Sequence, residues 1–270
     1  MVDASETRWL PVPEEFAPMP VARRVTMDDL WASIRAGLAD YNKHMAYGLG
    51  FGLFYVVFGA AVVATCLAYD WGHLIFPALS GFLLFGPFAA LGLYEISRRR
   101  QDGESETVKA AILAFRRHGG TQIALFGLFL VIATLAWLKV ATLIYALFFG
   151  LAPVAFDSLI VNVLTTGEGF RFALTGVIAG AVIAGTIFAA SVFAVPMLLD
   201  RDVDVVTAVV ASLMAVRDNF RVMAVWGLVV AGLTALGIMA GFIGLTIVLP
   251  VLGHATWHLY ARVLRHAKLA

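Results

Sequence analysis

The sequence predicts an all-α fold, a polytopic membrane helix bundle with six transmembrane helices, from three observations. Hydrophobic residues make up 61% of the 270 residues, charged residues only 14%, and the mean hydropathy is +0.89. A soluble domain is nearer half apolar and one-quarter charged. The apolar residues form segments of about 20, the length that crosses a bilayer, and the positive charges lie between alternate segments. These observations exclude a water-soluble domain.

The expected surroundings follow from the same composition. The lipid bilayer is the first predicted partner, and the formal net charge of +1 gives no reason to expect nucleic acid. A single cysteine, Cys66, excludes an intrachain disulfide and a cysteine-based metal site. No cofactor is predicted.

Two regions are predicted along the chain. Residues 1–25, with four prolines, are expected to form a flexible cytoplasmic tail, and 26–265 to form a single transmembrane domain. The charged residues of the first 45 positions do not fit a cleaved signal peptide. The first apolar segment is therefore expected to be an uncleaved anchor.

Six segments are long and apolar enough to cross the hydrocarbon core. The last two form one apolar stretch, which is divided at Ala240 and Gly241 because about 40 residues would span two bilayers. The third is longer than required and contains Lys139, so it is expected to tilt or to end near that lysine. The segments are 46–68, 74–96, 121–149, 172–199, 222–240 and 243–262.

The distribution of lysine and arginine predicts the orientation. In the six-span arrangement, 17 of the 19 basic residues lie on one side, in the N-terminal region, the loops 97–120 and 200–221, and the C-terminus. Basic residues mark the cytoplasmic side of a membrane protein. Both termini are therefore predicted to be cytoplasmic.

A threefold repeat is predicted, in which each unit is an amphipathic helix followed by a helical hairpin. The units are about 26–100, 107–200 and 204–265. The second and third align without a gap at an offset of 100 residues, with seven identities in 22 positions, among them Thr107 with Thr207 and Arg117 with Arg217. The alternative is that Ala, Gly and Leu recur by chance. The amphipathic segments are 28–41, 107–118 and 204–217.

Three long motifs occur in order along the chain. They are FPALSGFLLFGPFAALGLYEISRRR (76–100), VPMLLDRDVDVVTAVVASLMAV (195–216) and LPVLGHATWHLYARVL (249–264). Together, over about 28–265, they resemble an uncharacterised bacterial integral-membrane family, a domain of unknown function with some members labelled as a cytochrome c oxidase subunit. The resemblance implies a bacterial inner-membrane location and no established activity. A haem–copper catalytic subunit would need more helices and more histidines than this chain has.

The last predicted span carries the most polar aromatic cluster. His254 and His258 are four residues apart and so share a helix face with Trp257. Two histidines at this spacing are weak candidates for a metal site, because no third ligand is visible nearby. A proton or quinone site is a further alternative. The favoured interpretation is an aromatic belt at the membrane interface.

Four charged residues are candidates for a solute or partner site. Glu95 is followed by Arg98 and Arg99 at i+3 and i+4, so the simpler interpretation is a helix-end ion pair. Lys139 is placed near the far interface, where a lysine side chain can reach the headgroups. Asp157 and Glu168 lie in the loop 150–171, whose apolar spacing predicts a short surface or re-entrant helix.

Two functions remain open at this point, and no catalytic residue is predicted. The spans hold few polar residues and no recognised enzyme motif, which favours a non-catalytic accessory or scaffold protein of a larger, respiratory membrane complex. The alternative is a transporter or channel for a small, weakly polar solute, because prolines lie in alternate spans. It predicts a cavity lined by Thr134, Lys139, Asn162, Thr186, Ser191 or His254. The sequence does not identify the substrate, the partner or the oligomeric state.

Overall fold

In the computed structural model, the described residues are 21–113, 120–150 and 154–265. Within these ranges the chain is helical, without a β-strand. Most of the predicted tail, part of the second amphipathic segment and the start of the loop 150–171 fall outside the described residues.

Thirteen α-helices make up the described chain, with a 3-10 turn at Gly72–Leu74 and a π-helical turn at Ala261–Arg265. The helices are α1 (Met27–Lys43), α2 (Met45–Ala68), α3 (Ile75–Leu83), α4 (Gly86–Ala89), α5 (Leu91–Gln101), α6 (Val108–Ile112), α7 (Gly120–Phe149), α8 (Phe156–Thr165), α9 (Gly167–Ser191), α10 (Ala194–Asp200), α11 (Val205–Asp218), α12 (Phe220–Met239) and α13 (Leu245–Tyr260).

Four stretches of the described chain are long and apolar enough to cross a membrane. They are α2, α7, the combined α9 and α10, and α12. The predicted division at Ala240 and Gly241 is confirmed, because α12 ends at Met239 and a turn with positive φ at Gly241 and Phe242 precedes α13. Of the two alternatives expected for the third span, an end near Lys139 is wrong, because α7 continues to Phe149; a tilt stays a prediction.

The predicted second span is interrupted. The segment 74–96 is divided among α3, α4 and α5, with breaks after Leu83 and at Ala90. Pro87 lies in the first turn of α4, where its missing N–H leaves no hydrogen bond unmade. Pro250, by contrast, lies inside α13, which continues through it.

Two further segments return the chain to the end of the bundle where α2 starts: the interrupted segment 72–101 and the shorter segment 245–265. Arg100 at the end of α5 forms an ion pair with Asp40 of α1, and Arg262 after α13 lies 3.4 Å from Asp29. At the same end Val205 donates to Gln122 of α7, at 3.0 Å. We call this end the basic end, because the described arginines of the loops lie there. The other end of the bundle is called the opposite end.

The main hydrophobic core also lies toward the basic end. It is formed by residues of α1, α5, α7 and α9 to α13, and Trp226, Phe193 and Trp257 are among its fully buried side chains. The helix α11 is capped by Asp204, whose carboxylate accepts a hydrogen bond from the Thr207 N–H at 2.9 Å. An aspartate three residues before such an N–H favours this cap. The helices α1 and α6 are capped in the same way by Thr26 and Thr107.

Glycines allow two helices to approach α13 closely. A Cβ at Gly37 of α1 would lie 2.5 Å from the Ala255 nitrogen, and a Cβ at Gly52 of α2 would overlap the backbone of Thr246. No side chain larger than hydrogen fits either position without a shift of the helices. This close packing holds α1 against the interior and so positions the polar cluster described next.

Candidate functional site

The candidate site is a group of buried polar side chains at the basic end, which we call the Asp40 cluster. It consists of Asp40 from α1, Ser97 and Arg100 from α5, and His254 and His258 from α13. Gly37 brings α1 onto α13, and Asp40, one turn further along α1, consequently enters the interior, where only 2% of it is exposed. The buried face of α1 is otherwise small or apolar.

The Asp40 carboxylate has partners from two other helices. Its Oδ2 atom accepts a hydrogen bond from Ser97 Oγ at 2.5 Å and lies 2.8 Å from His258 Nε2. Its Oδ1 atom accepts from Arg100 Nη1. A buried carboxylate is tolerated when its oxygens are hydrogen-bonded in this way, so the cluster fastens α1 to α5 and α13.

These partners control the ionisation of Asp40. Burial alone would raise the pKa of its carboxyl, because the charged form loses water. Hydrogen bonds from His258 and Ser97, with the electrostatic attraction of His258 and His254, outweigh burial and lower the pKa to about 2. Asp40 is therefore ionised at neutral pH.

A chain of hydrogen bonds continues from Asp40 to His254. Ser97 Oγ lies 2.7 Å from His254 Nδ1, and its own proton is directed to Asp40. The network thus assigns the proton of neutral His254 to Nδ1. The other ring nitrogen, Nε2, is buried without a hydrogen-bond partner in the described structure.

The order of the three groups decides what the cluster does chemically. In a nucleophilic triad the histidine stands between the serine and the carboxylate and removes the serine proton. Here Ser97 stands between His254 and Asp40, and all three residues are at most 2% exposed. The arrangement is suited to holding protons and fixing helices and is unsuited to a serine nucleophile.

A second network surrounds Glu95 beside the cluster. The buried Glu95 carboxylate accepts from Arg98 Nε at 3.0 Å, Arg98 Nη2 at 3.1 Å and Arg99 Nε at 2.7 Å. The predicted helix-end ion pair is thereby confirmed. Arg98 also binds Asp102 and Glu104, each at 2.8 Å, so its guanidinium is saturated with carboxylates.

The end of α13 joins this network to α10. Arg265 lies 2.7 Å from Asp102 and 3.2 Å from Asp200, and its guanidinium carbon lies 5.4 Å from the centre of the Trp257 ring. Tyr260 donates to Asp200 at 3.0 Å. The last turns of α5, α10 and α13 are therefore connected by ion pairs and hydrogen bonds.

The structure changes the interpretation of the histidines. The aromatic belt is wrong for this position, because His254, Trp257 and Tyr260 have no exposed surface and pack inside the bundle. The reason is that α5 and α10 cover this face of α13, where Ser97 lies 2.7 Å from His254 and Asp200 accepts a hydrogen bond from Tyr260. For the weak metal candidates His254 and His258, the described residues contain no group of three or more possible ligands.

The remaining candidates are not brought to the Asp40 cluster. Lys139 is exposed on α7, while Asp157 on α8 and Glu168 on α9 are exposed near the opposite end. Asp40, Ser97 and Arg100 were not predicted as site residues. A signal for Asp40 was present, because it shares the 3.6-residue periodicity of Leu30 and the other buried positions of α1.

Part of the chain matches the model of a known family. Neither the search of curated proteins nor the search of solved structures found a matching protein. The resemblance predicted from the motifs is confirmed for the part of the chain that runs from α3 to α10; the oxidase-subunit label stays a prediction. Residues 75–200 match the model of a family described as a predicted integral membrane protein, DUF2189.

Proposed function

We propose that this protein is a non-catalytic accessory or scaffold protein of the membrane, whose spans pack against other membrane proteins. The observation that carries the proposal is the low burial of three candidate spans within the chain. In the most apolar 18 residues of α2, α7 and α12, only 22%, 28% and 28% of the residues are buried, against 61% for the combined α9 and α10. Much of the span surface is thus left to lipid or to a neighbouring protein.

One exposed face has the composition that helix association in membranes requires. Ala231, Gly232 and Ala235 are exposed on α12, and no atom lies within 4 Å of a Cβ built at Gly232. Lipid chains and apolar side chains are similar solvents, so helices associate in a bilayer through close packing of small residues. We take this small-residue face of α12, flanked by Leu228 and Leu236, as the contact surface.

The interior supports the same proposal. Ser191, Thr186 and Thr134 of the predicted solute pathway donate to backbone carbonyls at 3.4, 2.9 and 3.4 Å, and His254 is in the Asp40 cluster. Two cavities of the described structure are lined by other residues. These three hydroxyl groups of the predicted pathway therefore bind protein atoms.

A transporter is the second candidate, and one observation favours it. The segment 72–101 is interrupted twice in its middle, at Leu84–Phe85 and at Ala90. Discontinuous helices are typical of the solute sites of transporters. The experiment below separates the two proposals.

We also propose that six segments cross a bacterial inner membrane, with both termini cytoplasmic. The segments 72–101 and 245–265 return the chain to the basic end, which supports two further crossings besides the four long helices. The excess of arginine and lysine supports a cytoplasmic position for that end. The threefold repeat is supported by the three capped helices that each precede a span.

Site-specific photo-crosslinking in the native membrane tests the scaffold proposal. A photoreactive amino acid is placed at Leu236 on α12 or, as a control of equal exposure, at Val57 on α2 (60% and 61% exposed). We expect a discrete protein adduct at Leu236, identified by mass spectrometry, and lipid adducts at Val57. Lipid adducts alone at both positions would contradict the proposal and favour the transporter.

A further inference from the structure

A cavity of about 410 Å³ opens at the opposite end of the bundle. It lies between the turn that follows α2 and the last turns of α7, and the Asp40 cluster and the small-residue face of α12 take no part in it. The side chains that the argument uses are Tyr69, Asp70, Trp71, His73, Thr142 and Tyr145.

Aromatic rings form two walls of this cavity. Tyr69 stacks on Trp71 with ring centres 5.2 Å apart, and His73 stacks on Tyr145 with centres 4.3 Å apart. Tyr69 and Trp71 are exposed, so their rings are open to a ligand, whereas Tyr145 is buried. The faces of aromatic rings carry negative potential and attract organic cations.

A carboxylate and an unpaired ring nitrogen complete the lining. The Asp70 side chain is exposed, and within the described ranges it has neither an ion pair nor a hydrogen bond. Its backbone has φ 57°, a left-handed conformation in which the tight turn presents it beside Tyr69 and Trp71. The Nδ1 atom of His73 is buried without a partner in the described structure. Because that nitrogen has almost no accessible surface, the groups that the cavity offers to a ligand are one negative charge and aromatic faces.

The position of the cavity indicates where its ligand comes from. It lies just beyond the end of α2, at Ala68, and beside the last turns of α7, which ends at Phe149, where the headgroups of a bilayer would be. Leu143 and Leu147 on α7 are exposed beside it and would contact acyl chains. Lys139 lies one turn before Thr142 on the same helix face and is exposed, so its flexible side chain is available to a phosphate beside the cavity.

We propose that this cavity binds the alkylammonium headgroup of a zwitterionic phospholipid. Asp70 is the counter-ion of the ammonium group, Trp71 and Tyr69 supply ring faces, and Lys139 pairs with the lipid phosphate. A lipid that lacks the ammonium group, such as phosphatidylglycerol, leaves Asp70 unpaired and binds less tightly.

Native mass spectrometry of the full-length, delipidated protein tests the proposal. Phosphatidylethanolamine and phosphatidylglycerol with identical acyl chains are titrated against it. We expect tighter binding of phosphatidylethanolamine, and we expect Asp70→Asn to weaken it about threefold to fivefold without a change for phosphatidylglycerol. Asparagine tolerates the left-handed backbone, so this variant keeps the turn. Asp157→Asn, which removes another exposed carboxylate of the same end, is the matched control and should change neither affinity.

A second titration distinguishes the source of the ammonium group. Choline chloride is added to the detergent-solubilised protein, and tryptophan fluorescence is compared with that of Trp71→Phe. Saturation by choline, with equal binding of the two lipids, would overturn the lipid as the ligand and assign the cavity to a soluble ammonium compound. Equal binding of the lipids with no response to choline, or a lipid preference unchanged in Asp70→Asn, would overturn the ammonium site itself.

Discussion

Asp40 shows how one residue decides the packing of the basic end. Its carboxylate is held by Ser97, His258 and Arg100, which belong to two helices distant in sequence. A charged residue in an amphipathic segment is ordinarily expected on the solvated face, and here the close contact of Gly37 with α13 places it inside. The amphipathic pattern of α1 was predictable, whereas the partners of Asp40 depend on the tertiary fold.

Removal of this carboxylate should destabilise the protein. We expect Asp40→Ala to lower the free energy of unfolding by about 3 kcal/mol, because buried partners lose their counter-charge. Asp28→Ala, at an exposed position of the same helix, should change it little. Unfolding is followed with a thiol-reactive fluorophore, since Cys66 is the one cysteine and is buried. Equal melting temperatures for the two variants would refute the structural role of Asp40.

The lowered pKa of Asp40 predicts a pH dependence. A carboxyl whose pKa is lower in the folded than in the unfolded protein stabilises the fold above the unfolded value, near 3.8, and this stabilisation is lost as pH falls toward about 2. The stability difference between wild type and Asp40→Asn should therefore be constant from pH 7 to about pH 5 and shrink at lower pH. A difference that already shrinks between pH 7 and 6 would point to the histidines as the titrating groups.

At the scale of elements, apolar length predicted most of the helices but not their continuity. The segments that became α2, α7 and α12 have long apolar runs without an internal break, and their bounds were close to those predicted. The segment 74–96 has the same composition, yet it is interrupted where Gly86 and Pro87 begin a new helix. Composition gives the free energy of transfer to lipid, whereas helix breaks depend on local backbone geometry.

The repeat can be compared with the structure where a helix start is described in both units. The helices α6 and α11 begin at Val108 and Val205, which are 97 residues apart, close to the offset of 100 in the alignment of the second and third units. The threefold repeat stays a proposal.

The contact of α2 with α13 gives a prediction at this scale. Gly52→Ala should destabilise the protein by about 1–3 kcal/mol, because the added methyl group meets the backbone of Thr246 and forces the two helices apart. Gly50→Ala, two residues earlier on α2, meets no atom within 4 Å and should be neutral or slightly stabilising. The same thiol-reactive assay compares them. A similar effect of both substitutions would mean that helix propensity, and not close packing, dominates at these positions.

For the whole molecule, the number of crossings is the first prediction. In a Cys66→Ser background, single cysteines replace Asp28 before α2 and Ser105 after α5, both exposed, and Glu168 at the opposite end. If 72–101 crosses the membrane, an impermeant maleimide should label Asp28→Cys and Ser105→Cys only after the membrane is permeabilised. The same reagent should label Glu168→Cys in intact cells. Labelling of Asp28→Cys and Ser105→Cys from different sides would show that 72–101 does not cross.

The molecule as a whole combines a tightly connected basic end with spans that bury little of their surface on one another. The charge distribution predicted which loops gather at one end, and the arginine and carboxylate contacts are consistent with it. The sequence could not predict which span faces remain exposed, because lipid-facing and protein-facing residues are equally apolar in a membrane. The scaffold proposal depends on those faces.

Purification from the native membrane in mild detergent, with quantitative mass spectrometry of the recovered proteins, tests the scaffold proposal most directly. Gly232→Phe places a ring on the small-residue face of α12, and Gly50→Phe places one at an equally open glycine of α2. The account predicts stoichiometric recovery of other membrane proteins with wild type and Gly50→Phe, and their loss with Gly232→Phe. Recovery of the protein without any membrane partner in all three preparations would contradict it.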